Sequence, residues 1–239
     1  MSIIIALLIF SLIVLFHEFG HFLLAKKNGI TVVEFSLGMG PRLLSFDKGG
    51  TKYSWKLLPF GGSCMMLGED EGTMEPGAFA AASVWARISV IAAGPVFNFI
   101  LAFVLSLFII GSIGYDKPVI LQVSDGYPAA EAGLKEGDIV KKINHSNIHV
   151  AREVTNYVTF HQKQSVTMTV ERDGKDITVQ MDPVANESGR YIFGISCSSN
   201  YREKCGILGT LKYSAYEVKY WIQLTIESIK MLFTGQASK

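Results

Sequence analysis

The opening stretch confines what this chain can become. Ser2 to Phe16, SIIIALLIFSLIVLF, carries no charge, and after His17-Glu18-Phe19-Gly20-His21 apolar residues resume as far as Ala25. Such a run is long enough to cross the ~30 Å hydrocarbon layer of a bilayer as a helix. In that setting the segment has to satisfy its own backbone hydrogen bonds, so a helix is the expected form. The stretch lacks the basic leader and small-residue cleavage site of a secretory signal and reads as an anchor.

A second span is cleaner. From Ile88 to Tyr115 no residue is charged, with Arg87 before it and Asp116 after it. Lys26, Lys27, Arg42, Lys48, Lys52, Lys56 and Arg87 all lie between or at the ends of the two spans. The positive-inside rule therefore puts the N-terminus outside, the loop inside and everything after the second span outside. HEFGH then falls towards the cytoplasmic end of its helix. A net charge of +1 leaves no basic footprint, so nucleic acid is not an expected partner and the lipid bilayer is.

The remaining segments divide by composition. GITVVEFSLGMGPRLLSFDKGGTKYSWKLLPFGGSCMML, after the first span, alternates β-branched and aromatic residues with glycine breaks, predicting strands with a hairpin tip at Asp47 to Gly50. Residues 116–196 are polar with short β-type runs at 119–123, 165–170 and 177–181, and a short helix is expected from Pro128 to Leu134. From Ile207 to Leu232 an apolar run is interrupted by Lys212, Glu217, Lys219, Glu227 and Lys230. It reads either as a third span rimmed by Tyr213, Tyr216, Tyr220 and Trp221 or as an amphipathic helix lying in the interface.

The expected fold class is thus a multi-pass α-helical membrane protein with a membrane-associated β-hairpin or sheet and an inserted α+β domain. Its parts are a first transmembrane helix over 1–26, a strand-rich loop over 27–86, a second transmembrane helix over 87–112, an outer domain over 115–196 and a third helix over 207–233. Cys64, Cys197 and Cys205 are too few and scattered for a disulfide framework. Cys197 and Cys205 share the outer segment, where a pair and two free thiols are both open.

HEFGH matches H-E-x-x-H. Side chains four apart share a helix face, so His17 and His21 can reach one Zn²⁺ while Glu18, about a third of a turn away, holds the attacking water and relays its proton. Two histidines and a glutamate within a membrane helix are costly unless paired or metal-bound, which marks them as a functional cluster. A catalytic zinc takes three protein ligands. Among the acids that follow, Glu34, Asp47 and the Glu69-Asp70-Glu71 cluster lie in strand-like or loop-like surroundings and none makes a convincing third ligand. In the second span, AGPVFN places Pro95 and Asn98 in hydrocarbon. One reading is a kink with a packing hydrogen bond. The other has Asn98 facing the zinc cavity and bonding substrate backbone or the oxyanion.

With HEFGH in the first span, GPVFNF in the second, LPFGGSCMMLGED between them and PAAEAGLKEGDIVKKIN in the outer segment, the chain resembles the site-2 protease family, and specifically its bacterial members with a PDZ domain. The resemblance runs over essentially the whole chain. It implies a zinc metalloprotease of the bacterial inner membrane that cuts transmembrane segments of single-pass proteins, such as anti-sigma factors already clipped outside, or remnant signal peptides. It implies His17 and His21 as metal ligands, Glu18 as catalytic base, and Pro95 and Asn98 as the family's Pro-x-x-Asn element. It further implies that the loop around Gly38, Gly40, Gly61 and Gly62 takes up substrate as an added β-strand, and that the single PDZ-like domain docks a peptide or chain terminus, or acts as a size gate. The family's third ligand, an aspartate in a Leu-Asp-Gly motif beyond the PDZ domain, has no match here; the last aspartate is Asp182. Two expectations follow: this is a fragment ending near its third helix, or a zinc-poor inactive homologue acting as a membrane-tethered PDZ adaptor. A protease with an aqueous chamber for prenylated substrates is disfavoured by the inserted domain.

Overall fold

The computed structural model describes residues 2–69, 73–186, 189–197 and 201–233. Asp70 and Glu71 of the acidic cluster lie outside the described residues. The chain divides into two compact units, residues 1–102 and 103–239.

The first unit opens with helix α1, Ser2–Lys27. Its end is written in Asn28-Gly29: Gly29 takes a φ of +72°, and Ile30 N donates to Ala25 O at 2.9 Å, closing the turn as a glycine stop with Lys26 and Lys27 at the negative end of the helix dipole. Strands β1, Val32–Lys48, and β2, Thr51–Met66, follow, joined at Gly49-Gly50 where the hairpin tip was expected. Helix α2, Val84–Ile113, starts behind Ser83, whose Oγ accepts from Ala86 N, and stops at Gly114 with φ +84°. Pro95 lies inside α2, and the helix continues through it.

The two strands are more folded than a plain hairpin. Residues 34–37 pair with 65–62 on one side and with 52–55 on the other, while 42–48 pair with 56–51. Each long strand therefore bends into two segments, in the spatial order 42–48, 51–56, 32–37, 62–66. The bends fall at Gly38, φ +86°, with Gly40, φ +85°, and at Gly61, φ +81°, where side chains would strain the backbone. A Cβ at Gly38 would also lie 2.3 Å from Leu58 O. Among the described residues, segment 62–66 is paired on one edge only.

Phe22 of α1 packs on Phe35 and Tyr53, with ring centroids 5.1 and 6.0 Å apart, and Ala25, Val32, Cys64, Met66 and Val90 fill the core beneath. Ser11 anchors the second bend, its Oγ lying 2.6 Å from Pro59 O. On the centre of the sheet Glu34 is 3% exposed and takes both ends of the Arg42 guanidinium at 2.9 Å. That bond holds the Glu34 carboxyl well below its usual 4.5, at about 2.

Two helices, α1 and α2, are long and apolar enough to cross a membrane. Only 11% of the apolar window of each is buried in the protein, whereas a core helix would be mostly buried. Ile3, Trp85 and Phe108 stand more than 70% exposed, an apolar surface that suits lipid.

The second unit is a small α+β fold: β3 (Tyr115–Asp116), β4 (Ile120–Val123), α3 (Pro128–Glu131), β5 (Ile139–Ile143), β6 (Ser146–Asn147), α4 (Ala151–Phe160), β7 (Val166–Arg172), β8 (Lys175–Met181), β9 (Val184–Ala185), β10 (Tyr191–Ile192), β11 (Ile195–Cys197), β12 (Arg202–Glu203) and α5 (Ile207–Phe233). A four-stranded sheet in the order β6-β5-β7-β8 packs with β4 and α4 around Ile120, Leu134, Val140, Ile143, Met168 and Phe193. Strand β11 pairs with β4 and lies beside α4. Buried Asp138 accepts from Lys135 N at 2.8 Å and binds Arg172 through both oxygens at 2.7 Å, tying the Gly137-Asp138 turn to β7. All three cysteines are free thiols, so Cys197 and Cys205 do not pair.

Helix α5, Ile207–Phe233, docks on the α+β fold through Glu217 and its aromatic residues. Arg152 of α4 joins Asp116, 1% exposed, to Glu217 of α5, at 2.9 and 2.6 Å. Asn156 donates to Tyr220 Oη at 3.1 Å, and His149 stacks on Tyr216 with centroids 3.7 Å apart.

Candidate metal centre

The i, i+4 spacing puts His17 and His21 on one face of α1, their ring centroids 4.8 Å apart and edge to face. What lies opposite them is Gly94 of α2. A Cβ there would sit 2.5 Å from Nε2 of His17 and 2.5 Å from Nε2 of His21. Both Nε2 atoms thus converge on one spot, and the lack of a side chain at position 94 is what leaves it open.

The far sides of the rings are held as well. His21 Nδ1 lies 2.7 Å from Val90 O; a carbonyl only accepts, so Nδ1 carries the hydrogen and Nε2 is left with its lone pair free. His17 Nδ1 lies 3.1 Å from Nδ2 of Asn98. The helices come this close because Gly20 of α1 faces the backbone of Ala93, where a Cβ would stand 2.5 Å from the carbonyl oxygen.

Glu18 points to a different neighbour, the sheet. A Cβ at Gly62 would lie 3.6 Å from Glu18 Cγ and 2.9 Å from Ser36 O, so Gly62 lets the single-edged segment 62–66 close on the carboxylate-bearing residue. Cys64 stands in the same segment, its thiol pushed up to about 12 by burial, with the Glu18 charge adding to it.

The arrangement fits part of a zinc site. Two imidazoles with converging Nε2 atoms and partnered Nδ1 atoms are the nitrogen donors such an ion takes. Among the described residues no third His, Cys, Asp or Glu joins them.

The other predicted residues fall in two groups. Gly62 borders the Glu18 side, whereas Gly38 and Gly40 serve the first bend of the sheet and Gly61 the second, where a Cβ would meet Met39 at 3.0 Å. Pro95 is exposed on α2 and does not share the histidine face with Gly94. Asn98 reaches His17, a partner that the substrate reading did not anticipate. Gly94, Gly20 and the Val90 carbonyl were missed by sequence reasoning. The small-residue run Ala92-Ala93-Gly94 in an otherwise bulky span was the available signal for close helix contact.

A family model described as peptidase family M50 matches residues 5–239. The chain belongs to peptidase family M50. A Clostridium acetobutylicum protein named as a zinc metalloprotease is 35% identical over 238 residues, covering 99% of this M50 chain and 70% of that one. The regulator of sigma-W protease RasP of Bacillus subtilis is 28% identical over 314 residues, covering 96% of this chain and 74% of that one. That alignment has more positions than this M50 chain has residues, so the relative carries inserted segments. The PDZ domain of an SdrC-like protein from Listeria monocytogenes is 21% identical, covers 35% of this chain and 90% of that one, and superimposes with a TM-score of 0.31. Membership in M50 agrees with the zinc metalloprotease expected from HEFGH, and the non-catalytic adaptor is not favoured.

Proposed function

We propose that this M50 chain is an intramembrane zinc metalloprotease that cuts the transmembrane segments of single-pass proteins, in the manner of regulated intramembrane proteolysis. The observation that carries this reading is the convergence of His17 and His21 Nε2 on Gly94 while Glu18 abuts Gly62 of the single-edged strand. In this reading α1 and α2 span the bilayer with HEFGH towards the cytoplasm, and the α+β unit lies outside.

His17 and His21 would hold Zn²⁺, with a third ligand outside the described residues. When bound, the ion lowers the pKa of a water towards neutrality and polarises the scissile carbonyl. Glu18 takes the proton from the attacking water and returns it to the departing amine. A helix shields its own peptide bonds, so substrate must be unwound first. The unpaired edge of 62–66 offers it backbone hydrogen bonds as an added strand, beside the residue that Glu18 touches. In the outer unit, the edge of β11 beside α4 is the corresponding place for a peptide or chain terminus.

The test is Glu18→Gln in the full chain in membranes, with a single-pass substrate. Cleavage is expected to vanish while bound zinc persists. Normal cleavage by Glu18→Gln would reject Glu18 as the base.

A further inference from the structure

We propose that Asn98 is a positioning residue for His17: its amide fixes which imidazole nitrogen of His17 carries the hydrogen, and so whether Nε2 is free to bind metal. The inference rests on the zinc reading of HEFGH and deepens it.

The two histidines are held differently. His21 donates from Nδ1 to Val90 O at 2.7 Å, which leaves its Nε2 with a lone pair. His17 Nδ1 instead faces the Asn98 Nδ2 group at 3.1 Å. An amide nitrogen only donates, so in this arrangement Nδ1 of His17 accepts, and its Nε2 carries the hydrogen. That hydrogen points to the spot shared with His21 Nε2, since both Nε2 atoms lie 2.5 Å from a Cβ built on Gly94.

The same amide holds an unpaired atom. Asn98 Oδ1 is buried and has no hydrogen-bond partner among the described residues. Half a turn of the amide group exchanges Oδ1 and Nδ2 and changes nothing else in the packing, since the two are nearly isosteric. Oδ1 then accepts from Nδ1–H of His17, the orphaned oxygen is satisfied, and Nε2 is released as a ligand. Both histidines are then oriented by oxygen acceptors on their outer nitrogens, the arrangement that fixes tautomer and ring angle in metal sites. The proton moves from Nε2 to Nδ1 of the same ring, so the net charge is unchanged.

The experiment measures zinc affinity by chelator competition in the purified full chain, together with the visible absorption of the Co²⁺-loaded form, for wild type, Asn98→Leu, Asn98→Ala, Asn98→Asp and His17→Ala. Asn98→Leu and Asn98→Ala are expected to weaken zinc binding by roughly 10–100-fold, the usual loss for an outer partner of a ligating histidine, and to shift the Co²⁺ bands. Asn98→Asp, which keeps an oxygen acceptor, is expected to restore wild-type affinity or exceed it. If His17→Ala loses the metal while Asn98→Leu or Asn98→Ala binds it as wild type does, the inference is overturned and the zinc reading stands. A rise in KM for substrate with unchanged metal affinity in Asn98→Ala overturns it equally, assigning Asn98 to substrate. If the wild type takes up no zinc, the underlying reading fails and the inference with it.

Discussion

Gly20 of α1 lies against the backbone carbonyl of Ala93 in α2, so closely that a Cβ on residue 20 would stand 2.5 Å from the oxygen. Backbone meets backbone here, three residues after His17 and one before His21. The next residue of α2, Gly94, is thereby pressed onto the two imidazoles. Helix crossing and metal geometry are one packing problem, solved by two glycines.

Gly94→Ala follows directly. The added methyl group would overlap both Nε2 atoms, and either the imidazoles or α2 must move. We expect zinc binding to be lost while the protein still inserts in the membrane, read by metal content of the purified variant. Retention of stoichiometric zinc would show that the ion sits on another side of the histidines.

The Glu34–Arg42 pair gives a pH dependence with a definite sign. Glu34 has its folded-state pKa depressed from 4.5 to about 2, first by the Arg42 hydrogen bonds. A depressed carboxylate contributes stability that is complete above its unfolded value and is lost as pH falls through the folded one. Stability of the sheet is thus expected to decline between about pH 4.5 and 2. Arg42→Ala, which leaves the buried carboxylate without its main partner, should lower stability at neutral pH and weaken its loss on acidification, measured by denaturation in detergent.

Cys64 should be inert. Burial and the nearby Glu18 push its thiol up to about 12, so thiolate is scarce at neutral pH. Maleimide labelling of the folded protein at pH 7.5 is expected to miss Cys64 and to reach it after unfolding in dodecyl sulfate. Fast labelling in the folded state would mean that segment 62–66 opens readily.

Arg152→Met tests the attachment of α5. The variant leaves Asp116 buried and unpaired and removes the link to Glu217, at a cost of roughly 3–5 kcal/mol for breaking a buried ion pair. Proteolysis and hydrogen exchange should then rise first across residues 207–233. If α5 stays as protected as in the wild type, Asn156–Tyr220 and His149–Tyr216 suffice to hold it.

Much of this was legible in the sequence because it depends on periodicity. The i, i+4 histidines, the uncharged spans, the Gly49-Gly50 tip and the β-type runs at 165–170 and 177–181 are all local patterns. The bending of β1 and β2 into four segments was not, because the pairing of 34–37 with two partners is set by non-local contacts and by glycines whose φ no alternation reveals. The orienting group on His21 was invisible for a simpler reason: it is a backbone carbonyl, which every residue has.

That last feature makes the two halves of the site unequal in heredity. No side-chain substitution at position 90 deletes the carbonyl that steadies His21, so this half is robust to point mutation as long as the helix persists. His17 leans on an amide that a single codon change removes. Drift towards a metal-free relative of this chain therefore has an easy first step on the Asn98 side, one that leaves HEFGH itself unaltered.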